Sequence, residues 1–163
     1  MSLEKELGFS RPIELLAHEA LLNIYYTASC LKKRAGAFLR SFGLTDVQFN
    51  ALMLLAHQSG PQDGLSQAHL SKMMLVNRAN ITSLVDRMEK AGLVVRTDAT
   101  GDRRMNIVKL TEHARKLLAQ VEPLYAAQVR QIMAVFTESE RKGLITMMER
   151  IRSTLAKEQF ERS

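Results

Sequence analysis

The chain has 163 residues, 46% of them hydrophobic and 25% charged, a balance that supports one or two small cores and excludes a disordered chain. A net charge of +6 favours polyanionic partners. A single cysteine, Cys30, excludes an intramolecular disulfide framework and fits a reducing compartment; with no apolar run near the roughly 18 residues of a membrane span and no leader pattern around Glu4, Lys5 and Glu6, a cytoplasmic protein without a membrane partner is expected.

From Ile13 to Leu39 apolar residues recur at spacings of three and four, among them Leu16, Ala20, Ile24, Leu31 and Phe38, which predicts a long helix ended by Gly43. Leu15, Leu22, Tyr26 and Cys30 form a second stripe on it, so the helix needs packing partners on two sides. Thr45-Asp46-Val47-Gln48 is a capping box, and Leu44 and Phe49 hold the positions of a hydrophobic staple. That opens a second helix running to about Gln58.

After the turn-rich connector from Ser59 to Gly64, Ser66 caps a short helix that breaks near Leu75. Asn77 caps the next, whose stripe of Ile81, Leu84, Val85 and Met88 ends at Gly92 and leaves a polar opposite face. Leu93 to Arg96 and Asn106 to Leu110 are β-branched runs joined by turn chemistry from Asp98 to Asp102, predicting a hairpin with an arginine-bearing tip. Thr111 caps a further helix in which Pro123 predicts a kink or a break. Finally, Thr137-Glu138-Ser139-Glu140 is a capping box before a helix whose Leu144, Met148, Ile151 and Leu155 have the spacing of a coiled-coil seam.

The expected fold is mainly α with a small β-hairpin wing: a winged helix-turn-helix at residues 44–110, flanked by dimerisation helices at 1–43 and 111–163. The apolar surplus of the flanking helices calls for a homodimer. Between Leu65 and Lys109 the basic residues Lys72, Arg78, Arg87, Lys90, Arg96, Arg103, Arg104 and Lys109 outnumber Asp86, Glu89, Asp98 and Asp102, which points to double-stranded DNA. Lys72, Arg103 and Arg104 suit phosphate contacts that weaken with salt. Reading of bases falls to the start of the Asn77 helix, where Arg78 can pair with guanine, Asn80 with adenine, and Thr82 or Ser83 with bases or phosphates. The DNA-binding set is Ser66, Lys72, Asn77, Arg78, Asn80, Thr82, Ser83, Arg87, Arg103 and Arg104.

These residues also carry a resemblance. Leu44 to Phe49, Leu65-Ser66 through Leu70, Leu84 to Val94, and Asp102-Arg103-Arg104 followed by Leu110-Thr111-Glu112 together resemble a MarR-type transcriptional regulator over about residues 11–155. The resemblance implies a homodimer on an inverted-repeat operator, usually a repressor, released when a small ligand or oxidant changes the separation of its two winged helices. It also implies that Asp102 orients Arg103 or Arg104, or pairs with Arg87, instead of touching DNA. Two positions depart from the family pattern: Ser83 stands where a basic residue is common, and Ala114 where glycine is usual.

For the signal, the resemblance implies a pocket for phenolic or similar aromatic effectors, with Tyr26, Phe49, Met53 and His57 as candidates by helix position. Cys30, one turn after Tyr26, is the alternative as an oxidant-sensing thiol, although the family's reactive cysteine lies nearer the start of this helix. As a small buried hydrophobe it would sense nothing. The four histidines contain no i, i+4 pair, so no metal site and no cofactor are expected. A winged helix that binds protein instead of DNA is the competing function; an enzyme is disfavoured because neither a phosphate-binding glycine loop nor a nucleophile motif is present.

Overall fold

The computed structural model describes the backbone of residues 2–99 and 102–160, with side chains described except at residues 99, 102–105 and 157–160. Ten elements follow in chain order: α1 (Leu3–Leu7), α2 (Leu16–Arg40), α3 (Asp46–His57), β1 (Leu65–Ser66), α4 (Gln67–Met74), α5 (Arg78–Lys90), β2 (Val94–Ala99), β3 (Asp102–Leu110), α6 (Glu112–Met133) and α7 (Glu138–Phe160). They fall into two compact units divided after Leu118. No helix among the described residues is long and apolar enough to cross a membrane.

The polar side chains at helix starts explain most boundaries. Thr45 and Gln48 close their capping box: the Gln48 amide nitrogen donates to Thr45 Oγ1 at 3.2 Å, and the Thr45 amide to Gln48 Oε1 at 2.9 Å. The staple partners Leu44 and Phe49 are both buried. Thr137 and Glu140 repeat the arrangement before α7, the Thr137 amide donating to the carboxylate at 2.7 Å. That bond, followed by the one from the Thr137 hydroxyl, holds the Glu140 carboxyl below its ordinary range.

Two helices depart from expectation. The helix predicted from Ile13 begins at Leu16, because Leu15 is extended and the Ile13 amide donates instead to the Glu4 carboxylate at 2.7 Å. That bond ties the segment back to α1, which the sequence pattern did not announce. Of the kink or break expected at Pro123, the break does not occur: α6 is helical from Glu112 to Met133. A proline removes one backbone donor, and here Leu117, Leu118, Ala119, Gln120 and Ala126 around it favour helix strongly enough to carry the chain across.

The core of the winged helix is largely apolar. Leu52, Leu70, Ile81, Val85, Met88, Val94 and Val108 are all almost wholly excluded from solvent, and α3 packs on α4 and β3 while α5 packs on α4 and β2. The wing is an antiparallel sheet in the order β1, β3, β2. Its third strand, β1, is only two residues long, pairing Leu65 with Val108 and Ser66 with Ile107. Gly64 makes this possible: a Cβ there would lie 2.5 Å from the Val108 carbonyl oxygen and 2.6 Å from Ile107 Cγ2. Only glycine lets the two backbones approach that closely.

Candidate nucleic-acid interface

Helices α4 and α5 are joined by a tight turn with its own polar latch. Leu75 takes the left-handed conformation (φ 54°), its amide bonding to the Lys72 carbonyl at 3.3 Å, while the Val76 amide reaches the Ser71 carbonyl at 3.1 Å. The buried Ser71 hydroxyl donates back to the Val76 carbonyl at 2.5 Å. Leu75 itself is 89% exposed, so its side chain packs on nothing that would offset the steric cost of the left-handed backbone.

Helix α5 divides cleanly. Ile81, Leu84, Val85 and Met88 are buried, and the other side chains are exposed. By helical periodicity the outward midline runs through Ala79, Ser83, Asp86 and Lys90, with Arg78 and Thr82 on the shoulder toward α4 and Asn80 and Arg87 on the other. A helix with this outline, about 10–12 Å across with its side chains, suits a DNA major groove about 12 Å wide. Asn77 caps α5, its Oδ1 accepting from the Asn80 amide at 2.9 Å, which spends its side-chain oxygen on the fold and leaves its amide group outward. Ser66 does the same for α4, accepting from the His69 amide at 3.2 Å. Arg87 Nη1 donates to Ser83 Oγ at 2.8 Å, so these two side chains present one joined polar surface.

Asp86 on the outward midline would repel phosphates if it stood alone. It does not: Arg96 of β2 reaches across to pair with Asp86 at 2.5 Å and with Glu89, whose Oε1 also accepts from the Arg96 amide at 3.2 Å. Arg96 is thus a clamp between wing and helix. In the sequence Arg96 counts only toward the basic excess; here its charge is spent on two of the acids set against it. Nothing in the local pattern separates Arg96 from its neighbours, since the partners lie seven and ten residues away across a turn. The second missed residue is Gln67, whose Oε1 lies 3.1 Å from Thr82 Oγ1.

The remaining predicted residues are placed as follows. Lys72, Arg78, Asn80, Thr82, Ser83 and Arg87 are exposed, and Ser66 is half-buried. Arg103 and Arg104 lie on β3, but their side chains, like that of Asp102, fall outside the described residues, as do Thr100 and Gly101. The expected pairing of Asp102 with Arg87 therefore lies outside the described residues, while Arg87 itself donates to Ser83. Of the effector candidates, Phe49 is buried in the winged-helix core, Met53 and Tyr26 are half-buried, and His57 is exposed. Cys30 is exposed and lies one helical turn after Tyr26. The negative charge of its ionised thiol, then partial burial, the polar pull of the same thiol and the Glu6 carboxylate hold the Tyr26 phenol above its ordinary range.

Residues 42–105 match the sequence model of the MarR family. The chain is 30% identical over 113 residues to the transcriptional regulator MhqR of Bacillus subtilis, covering 69% of this chain and 75% of that protein. It is equally 30% identical over 125 residues to the transcriptional activatory protein BadR of Rhodopseudomonas palustris, covering 75% and 70%. Among solved structures, that of Sco3205, a MarR family transcriptional regulator from Streptomyces coelicolor in complex with DNA, matches with a TM-score of 0.77 at 27% identity, over 90% of this chain and 92% of that one.

Proposed function

The chain belongs to the MarR family of transcriptional regulators, and from that premise we propose that it is a sequence-specific repressor that binds an inverted-repeat operator as a homodimer and leaves it when a small aromatic effector binds. The observation that carries the DNA-reading part is α5, which buries all four residues of its apolar stripe and turns Arg78, Asn80, Thr82, Ser83 and Arg87 outward. The division of labour follows from chemistry: Arg78 and Asn80 have the donor patterns that read guanine and adenine, while Lys72 and the wing pair Arg103 and Arg104 attract phosphates without reading sequence.

The homodimer is supported by apolar surface left bare in a single chain. Leu16, Leu21, Tyr25 and Leu31 of α2 are exposed, and α7 separately exposes Ile145, Met147, Ile151 and Leu155. Surfaces of this kind mark association sites, and identical chains associate most often about a two-fold axis. In this reading residues 1–43 and 111–163 are the dimerising parts and 44–110 the reading part. Two α5 helices about 34–36 Å apart would then enter successive major grooves on one face of the duplex. An effector bound among the candidates Tyr26, Phe49, Met53 and His57, which lie on α2 and α3, would act by changing that separation.

Selection of bound duplexes from a random pool at near-physiological salt tests the proposal. Enrichment of an inverted repeat is the expected outcome, and enrichment of nothing would overturn it. Repeating the selection with phenolic ligands and with peroxide separates an aromatic signal from oxidation of Cys30.

A further inference from the structure

The hydrogen bond between Gln67 and Thr82 is unusual among those of the reading face because it joins two helices. Gln67 is the first residue of α4 and Thr82 lies in the second turn of α5, yet both are on the same side of the helix pair. Thr82 Oγ1 lies 3.1 Å from Gln67 Oε1 and 2.9 Å from the Arg78 carbonyl oxygen, so its one proton is shared between two acceptors. Around the pair is a hollow of about 280 Å³ lined by Gln67, Ala68, Arg78, Ile81 and Thr82. Ile81 is buried and forms an apolar floor; Ala68 is too small to fill the opening.

Two of the side chains that line this hollow bring donors to it. With its oxygen held by Thr82, Gln67 has two N–H donors left to offer, and the Arg78 guanidinium has donors only. A phosphodiester presents acceptors alone at every position, whereas in the major groove adenine and cytosine also present an amino donor and an acceptor-only match needs a guanine in reach. We propose that Gln67, held by Thr82 and flanked by Arg78, is a phosphate-holding residue that fixes how α5 is seated in the groove.

This inference rests on the DNA-binding reading above and assigns Gln67 a role that the sequence pattern did not. Thr82 becomes the residue that orients Gln67 instead of a reader of bases, and Arg78 is shared: its stem belongs to the hollow and its guanidinium can reach either the phosphate or a guanine. The arrangement also explains why a neutral amide sits beside a cation here. Gln67 supplies directional bonds without adding charge, so it can set position while contributing little to non-specific attraction.

Fluorescence anisotropy of the full-length protein tests this on two duplexes, the one enriched by selection and an unrelated one of equal length, across a series of salt concentrations. Gln67→Leu and Thr82→Val should each weaken binding about five- to tenfold on both duplexes without changing the slope of log affinity against log salt, because no phosphate charge is left unneutralised. Arg78→Ala should instead lower that slope by about one. Combining Gln67→Leu with Thr82→Val should cost no more than either alone, since each removes the same contact. The decisive variant is Gln67→Glu, which can still accept from Thr82 but repels phosphate. It should bind more weakly than Gln67→Leu; affinity equal to wild type would show that Gln67 only braces Thr82, and would overturn the proposal. A loss confined to the enriched duplex would overturn it too, by making Gln67 a reader of bases. If the wild-type protein bound neither duplex, the DNA-binding reading itself would fall and take this one with it.

Discussion

Helices α5 and α2 are both amphipathic, but their apolar residues meet different fates. In 13 residues α5 buries four side chains, whereas α2 buries only Leu39 in 25. The contrast locates where the chain is complete by itself. The winged helix has a closed core of α3, α4, α5 and the sheet, so its stability is intramolecular; α2 displays apolar residues that a single chain leaves exposed.

The largest effect should therefore separate the two by concentration dependence. Leu52→Ala, at a site with no solvent exposure, should lower unfolding stability by about 3 kcal/mol in urea titrations, by the same amount at every protein concentration. Leu21→Ala should instead lower the unfolding midpoint only at protein concentrations where the proposed dimer is populated, with no loss at high dilution. Identical concentration dependence in the two variants would break the comparison.

On the reading side, replacing both Arg103 and Arg104 with Ala should weaken binding to all DNA by about tenfold or more and make the salt slope shallower by about one to two. An unchanged slope would remove the wing from the interface. Arg96→Ala sharpens the distinction between a cation that binds DNA and one that organises the protein. It should cost about 1–2 kcal/mol of folding stability, seen as a lower melting temperature without DNA, which loss of a mere phosphate contact would not produce.

Smaller still is Leu75→Gly. Glycine takes the left-handed conformation without the penalty a leucine bears, and the exposed side chain gives up no packing, so stability should rise by up to about 1 kcal/mol. A fall would mean that Leu75 packs on something a single chain does not show. Least of all is the cap of α7. Because the Glu140 pKa is lower in the folded state, its contribution is present at neutral pH and is lost as the pH falls through and below the ordinary glutamate range. Glu140→Gln should remove that pH dependence, measured by amide exchange in the first turn of α7.

Local signals made most of the architecture readable. Thr45, Ser66, Asn77, Thr111 and Thr137 each announce a helix through hydrogen bonds spanning three residues, and the stripe of α5 needs only its own periodicity. What stayed hidden depends on residues distant in sequence. Strand β1 has two residues and no pattern of its own; it exists because Val108 and Ile107 lie opposite. Helix α1 ends in a left-handed Gly8, but five residues carry too little periodicity to be recognised. Arg96 and Gln67 were invisible as partners because an arginine near two acids, or a glutamine at a helix start, reads locally as solvated surface.

Ser66 belongs to two elements at once: it pairs with Ile107 as the last residue of β1 and caps α4 in the next breath. No linker separates the base of the wing from the first helix of the reading pair. Because Gly64 presses the same short strand against β3, there is no slack there to absorb a displacement. The base of the wing and the helix pair are thus coupled without a hinge, so the proposed effector would turn them together and not fold a finger against the palm.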